Sequence, residues 1–187
     1  MAGKEKDYFI SLYDVAKVIN ASLSPSQVLE KIVTSVAAAI QVKACTLRVL
    51  EARKKRLVMG AHCGLSDGYI RKGPIWVGES GLDQKALQGK TVWMKNAQVD
   101  KDFQYNERAR LEGITSVLVV PLMVEKEVIG VLRVYSEEER EFDEDEKKFL
   151  EAAANLSAIA LENARLHHAL QKDYDLLVAH KYRLDDN

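Results

Sequence analysis

The sequence predicts an α+β domain: a central antiparallel sheet of five or six strands, helices on one face, and a loop and short-helix cover over a pocket on the other. Three observations predict it. Helical patterns open and close the chain, with every strong strand pattern between them, an order that gathers helices on one side of an antiparallel sheet. The strands arrive as two hairpins, over 45–61 and 116–135. The run 117–122 is apolar without alternation, so both faces of its sheet are covered.

Taken in order, residues 8–19 place Phe9, Leu12, Ala16 and Ile19 on one helical face. A second helix opens with Ser24 as N-cap, Pro25 in the first turn and Gln27 at the capping-box position, and Leu23 is placed to staple onto Val28. Its stripe runs through Leu29, Ile32, Val33, Val36 and Ile40. The period then changes to two over 45–50, a basic turn spans 53–56, and 57–61 returns as the partner strand. Gly64, Gly68, Gly73, Gly78, Gly81 and Gly89 punctuate 64–115, where only a short helix over 84–87 and a strand over 91–94 are legible. Residues 116–124 and 127–135 are strands joined at Glu125 and Lys126. A long helix follows, with Asp143 as cap and Glu146 as its capping-box partner. The expected boundaries are an N-terminal helix over 1–22, a domain over 23–168 and a helical extension over 169–187.

The 187 residues are 47% hydrophobic and 29% charged, which suits a single globular core. Lys and Arg number 27 against 28 Asp and Glu, so no net field favours nucleic acid or an anionic membrane. No segment approaches the roughly 18 apolar residues of a membrane span, and the opening residues lack the apolar run of a signal peptide. Two cysteines, Cys45 and Cys63, do not make a disulfide framework. The expectation is a cytoplasmic protein that binds neither nucleic acid nor membrane.

Several phrases, in this order, resemble the GAF family of sensory domains over about residues 23–168. They are Leu29-Glu30-Lys31-Ile32, Gly64-Leu65, Gly78-Glu79-Ser80-Gly81, Ala86-Leu87 with Gly89, Val119-Val120-Pro121-Leu122, Ile129-Gly130-Val131-Leu132, and Phe142 with the closing helix. The resemblance implies a small-molecule sensor; the ligand varies between members. Tyr135-Ser136 stands where cyclic-nucleotide members carry Asn-Lys, although Phe142 and Glu146 partly fit the rest of that pattern. Cys63 follows His62, the reverse of the bilin-attachment order, and no cysteine lies in 77–118, where the methionine-sulfoxide reductases of the family carry theirs. No haem, bilin or metal is therefore expected, and His62-Cys63 reads as a strand end whose neighbours face opposite ways.

Strand parity supplies the sharper expectation. Thr46, Arg48 and Leu50 share one face of their strand, and Ile129, Val131, Arg133 and Tyr135 share one face of theirs. In the family's topology these strands are neighbours, so Arg48 and Arg133, with Tyr135, would grip a carboxylate or phosphate, unless each pairs with a nearby Glu or reaches solvent. Trp76, Phe103 and Tyr105 in the cover are placed to stack on a planar ligand, with Asp100, Asp102, Arg108 and Arg110 as rim groups; Trp93 reads as core. A heptad series through Phe149, Leu156, Asn163, Leu170 and Leu177, joined by Tyr174, continues past Leu166. Asn163, Leu170, Tyr174 and Leu177 are thus the expected seam of a homodimer, or of a helix folded back on the first one. No nucleophile with a base, paired catalytic acids or phosphate loop is legible. The function expected is a non-enzymatic regulatory module that binds an unidentified small molecule, anionic or a nucleotide, and signals through terminal helices to a protein in trans. The alternative is a dimerisation scaffold whose interior is filled by its own side chains.

Overall fold

The structure is a computed structural model that describes residues 2–21, 24–51, 53 and 55–185. Its elements are α1 (Ala2–Ala21), α2 (Pro25–Ala39), β1 (Ala44–Glu51), β2 (Arg56–Cys63), α3 (Asp67–Ile70), β3 (Ile75–Trp76), α4 (Gly81–Ala86), β4 (Val92–Met94), α5 (Asn106–Glu112), β5 (Ser116–Val124), β6 (Glu127–Ser136) and α6 (Glu144–Asp185). Six strands form one antiparallel sheet in the order β3-β2-β1-β6-β5-β4. The two predicted hairpins meet at its centre, where β1 pairs with β6.

Parity divides the core in two. Cys45, Leu47, Leu118, Val120, Leu132 and Val134 face α2, the first half of α6 and part of α1. Ala44, Val117, Val119, Val131 and Tyr135 face the other way, onto the cover built from 64–115. Gly130 of β6 is the register partner of Val49 of β1, and a Cβ there would collide with the Arg48 carbonyl and Leu122. Glycine therefore fixes the spacing of the two central strands.

Ser24 takes the N-cap position with Pro25 behind it, but its hydroxyl lies 3.1 Å from Ser26 Oγ and makes no capping bond. Leu23, the expected staple, lies outside the described residues. At α6 the predicted capping box closes in both directions: the Asp143 amide donates to Glu146 Oε2 at 3.0 Å, and the Glu146 amide to Asp143 Oδ1 at 2.8 Å. On α1 the buried face is shifted by one residue from the expected one. Tyr8 and Val15 are buried, Leu12 and Ile19 pack beside them, and Phe9 is 71% exposed. Tyr8 wins because its ring stacks on Phe149 of α6 at 4.7 Å.

Candidate functional site

Arg48 and Arg133 project from the sheet face opposite the helices, into the cover. Thr46 is the register partner of Arg133, and Arg48 of Val131, so the two arginines are diagonal neighbours on one face. Both are fully buried. Among the described residues neither pairs with a glutamate, and both are shut off from solvent, so neither meets the two ordinary fates of an arginine. Arg48 Nη1 makes one long bond to the Leu57 carbonyl at 3.4 Å. Arg133 Nη1 lies 3.6 Å from Asp83 Oδ2, and its guanidinium stands 5.3 Å from the Phe103 ring centre and 5.6 Å from that of Tyr135. Burial works against the Arg133 charge, but Asp83, with Tyr135 and Tyr69, outweighs it and holds the pKa above the usual arginine value.

Asp83 reaches this interior because α4 turns it inward. Ser80 caps α4, accepting from the Asp83 amide at 3.4 Å and donating its hydroxyl to Asp83 Oδ2 at 2.5 Å. Tyr69 of α3 packs edge-on to Tyr135 at 6.3 Å, and Tyr135 shares a hydrogen bond of 3.1 Å with Thr46 Oγ1. Lys72, half-buried, holds its ammonium nitrogen 4.7 Å from the Tyr69 ring centre and 4.0 Å from that of Tyr105. Six buried side-chain polar atoms lack a hydrogen-bond partner among the described residues. All but Tyr8 Oη belong here: Arg48 Nε and Nη2, Arg133 Nε, Tyr69 Oη and Asp83 Oδ1. Such atoms cost about 1–3 kcal/mol each when left unpaired. Three of the five are guanidinium donors.

The structure brings together Arg48, Arg133, Tyr135 and Phe103 from the expected set. Tyr105, also expected, borders them on the cover side; the remaining candidates stand elsewhere. Trp76 is 40% exposed, with Arg56 5.9 Å from its ring. Asp102 pairs with Lys85 at 2.8 Å and packs against Gly81, clamping α4 to the following loop. Arg110 pairs with Glu107 at 2.8 Å on the exposed side of α5. Trp93 packs on the helix side and donates to the Arg140 carbonyl at 2.9 Å. His62 is exposed and Cys63 half-buried, its thiol donating to the Val33 carbonyl. Asp83 and Lys72 were missed by sequence reasoning. The Ser80-x-x-Asp83 capping pattern was the available signal for Asp83; for Lys72, beside Gly73-Pro74, there was none.

A family model described as "GAF domain" matches residues 22–162, and the chain belongs to that family, a ligand-binding sensory and regulatory fold. It is 28% identical over 184 residues to the dual 3′,5′-cyclic-AMP and -GMP phosphodiesterase 11A of Takifugu rubripes; 91% of this chain but 20% of the relative is matched. The chain thus spans about a fifth of that relative's length. Among solved structures it is similar to the GAF domain of an Acinetobacter phosphoenolpyruvate-protein phosphotransferase (TM-score 0.71, 25% identity, 84% of this chain and 94% of that one). It is also similar to the corresponding domain from Coxiella burnetii (TM-score 0.78, 21% identity, 88% and 98%). No helix among the described residues is long and apolar enough to cross a membrane.

Proposed function

We propose that the chain is a cytoplasmic regulatory module that binds a small anionic molecule between its central sheet and the cover, and signals through α1 and α6 as a homodimer. One observation carries the ligand reading: two fully buried guanidiniums on adjacent central strands keep unpaired donors among the described residues, and only Arg133 has a carboxylate, Asp83, beside it. Buried charge is tolerated when it is paired and hydrogen-bonded. A carboxylate or phosphate oxygen supplies both, and the planar guanidinium fork suits either group. A ligand signals only by favouring one arrangement of the helices over another, and the output is then delivered to a partner protein in trans.

Differential scanning fluorimetry against small phosphates and carboxylates, with native mass spectrometry of freshly purified protein, tests the ligand reading. At least one anion should raise the melting temperature, and Arg133→Met should abolish that rise while keeping the fold. If no anion stabilises the protein and none co-purifies, the scaffold reading stands in its place. That second reading has its own support: Asp83 already partners Arg133, and Phe103 covers it.

The dimer reading rests on what α6 leaves uncovered. Leu170 is 70% and Tyr174 62% exposed, and Asn163 is also exposed; the side chain of Leu177 lies outside the described residues. Phe9 and Tyr13 of α1 are exposed as well. The fold-back alternative is met only in part, because α1 packs on the first half of α6 through Tyr8 and Phe149. A second copy would cover the remaining stripe.

A further inference from the structure

We propose that Cys45 and Cys63 are a redox modification site: the two residues stand opposite each other on β1 and β2, and their thiols close to a reversible disulfide when a peroxide oxidises them. The site lies on the helix side of the sheet and involves neither Arg48 nor Arg133, so it stands apart from the anion reading.

The chain has two cysteines, and they are register partners in the β1–β2 pair. The pairing around them is regular: Cys45 with Cys63, Thr46 with His62 and Leu47 with Ala61, the register shifting only beyond Leu47. Opposed residues of an antiparallel pair hold their Cα atoms about 4.5–5.5 Å apart, inside the roughly 4.4–6.8 Å that a disulfide spans. Both side chains belong to the core cluster that packs on α2. Gly64 keeps the strand ends close, since a Cβ there would collide with the Lys43 carbonyl and Ala44. The Cys63 thiol donates to the Val33 carbonyl of α2 at 3.1 Å. Core packing alone does not require the two cysteines of a chain to face each other across a strand pair.

The two sulfurs differ in access: Cys45 is fully buried and Cys63 half-buried. Burial raises the pKa of both, Cys63 adding to the effect at Cys45 and the Cys45 backbone opposing it at Cys63. Each thiol keeps its proton at rest, and oxidation is slow. Cys63 reacts first. As a thiolate it attacks one oxygen of hydrogen peroxide; the O–O bond breaks, a sulfenic acid forms, and the departing hydroxide takes up a proton to become water. The Cys45 sulfur then attacks the Cys63 sulfur, the S–O bond breaks, and the hydroxyl leaves with the Cys45 proton as a second water. Two thiols and one peroxide thus give one disulfide and two waters; each sulfur loses one electron and the peroxide gains both. A dithiol reverses the step by thiol–disulfide exchange. The disulfide has no hydrogen to donate, so oxidation also removes the Cys63 link from β2 to α2. In a reducing compartment such a bond comes and goes, as a sensor's does.

The full chain, reduced, is exposed to hydrogen peroxide at mildly alkaline pH, then denatured, labelled with N-ethylmaleimide and mapped by peptide mass spectrometry. The wild type should lose both labelling sites and yield a linked Cys45–Cys63 peptide, and dithiothreitol should restore both sites. Cys45→Ala should stop with one or more oxygens on Cys63, while Cys63→Ala should leave Cys45 free to take the label. The wild-type map decides alone if either variant folds poorly. Three results overturn the proposal: oxygen added to Cys63 of the wild type with Cys45 still labelled, a disulfide between chains in place of the internal one, or two free thiols under conditions that oxidise the denatured chain.

Discussion

Arg133 of β6 and Asp83 of α4 are held 3.6 Å apart with both side chains shut off from solvent. This contact ties the cover to the sheet by charge, where the surrounding contacts are apolar. On the proposed reading, an anion entering beside Arg133 would compete with Asp83 for the same guanidinium.

Asp83→Asn should therefore destabilise the free protein by about 3–5 kcal/mol, since it strands a buried charge. Sulfate should restore part of that loss, and more than it adds to the wild type. Urea unfolding with and without sulfate measures both. An unchanged unfolding midpoint would remove Asp83 from the argument.

The pH dependence of stability has a sign. Between about pH 6 and the ordinary lysine value of 10.5, the unfolded chain holds a proton on Lys72 that the folded chain lacks. Stability of the free protein should rise with pH across that window, and less steeply in Lys72→Met. Above pH 10 the trend reverses through Tyr69, whose pKa burial and Tyr135 raise well above its usual value of 10.0. Denaturant unfolding at a series of pH values checks the slope.

Glu146 closes the α6 capping box and receives Arg140 at 2.5 Å, while Arg140 also donates to the Ile40 carbonyl at 2.9 Å. Glu146→Ala removes a cap and leaves Arg140 without this partner. A loss of about 2 kcal/mol is expected in thermal or urea unfolding. Near-wild-type stability would mean that α6 is anchored by packing alone.

Leu170→Glu combined with Tyr174→Glu should give soluble monomers by light scattering, with the far-ultraviolet circular dichroism of the domain preserved. Each apolar side chain that a partner helix buries contributes roughly 1.5–3 kcal/mol. A wild-type chain that stays monomeric at high micromolar concentration contradicts the dimer.

The sheet was legible because alternation and hairpin spacing are local: parity put Arg48 and Arg133 each on a definite face of its strand, and the sheet order implied by the family resemblance put both faces away from the helices. The cover was not. Asp67–Ile70, Ile75–Trp76 and Asn106–Glu112 are too short for a periodic signal and are held by distant contacts, as where Ser66 donates to Glu112. Asp83 meets Arg133, about 50 residues further along the chain, and Lys72 lies over the ring of Tyr105, about 33 residues on; a polar residue in a glycine-rich stretch reads as exposed. The buried face of α1 slipped by one because Tyr8 and Phe9 fit the same period, and only the partner ring on α6 chooses between them.

α6 is one unbroken helix of 42 residues, from Glu144 to Asp185, about 63 Å from end to end. Beyond Leu161 no described side chain is buried, so roughly 36 Å of it extends past its seat on the sheet. Geometry gives such a rod mechanical gain. A tilt of about 5° where it lies against β5 moves its far tip by about 3 Å.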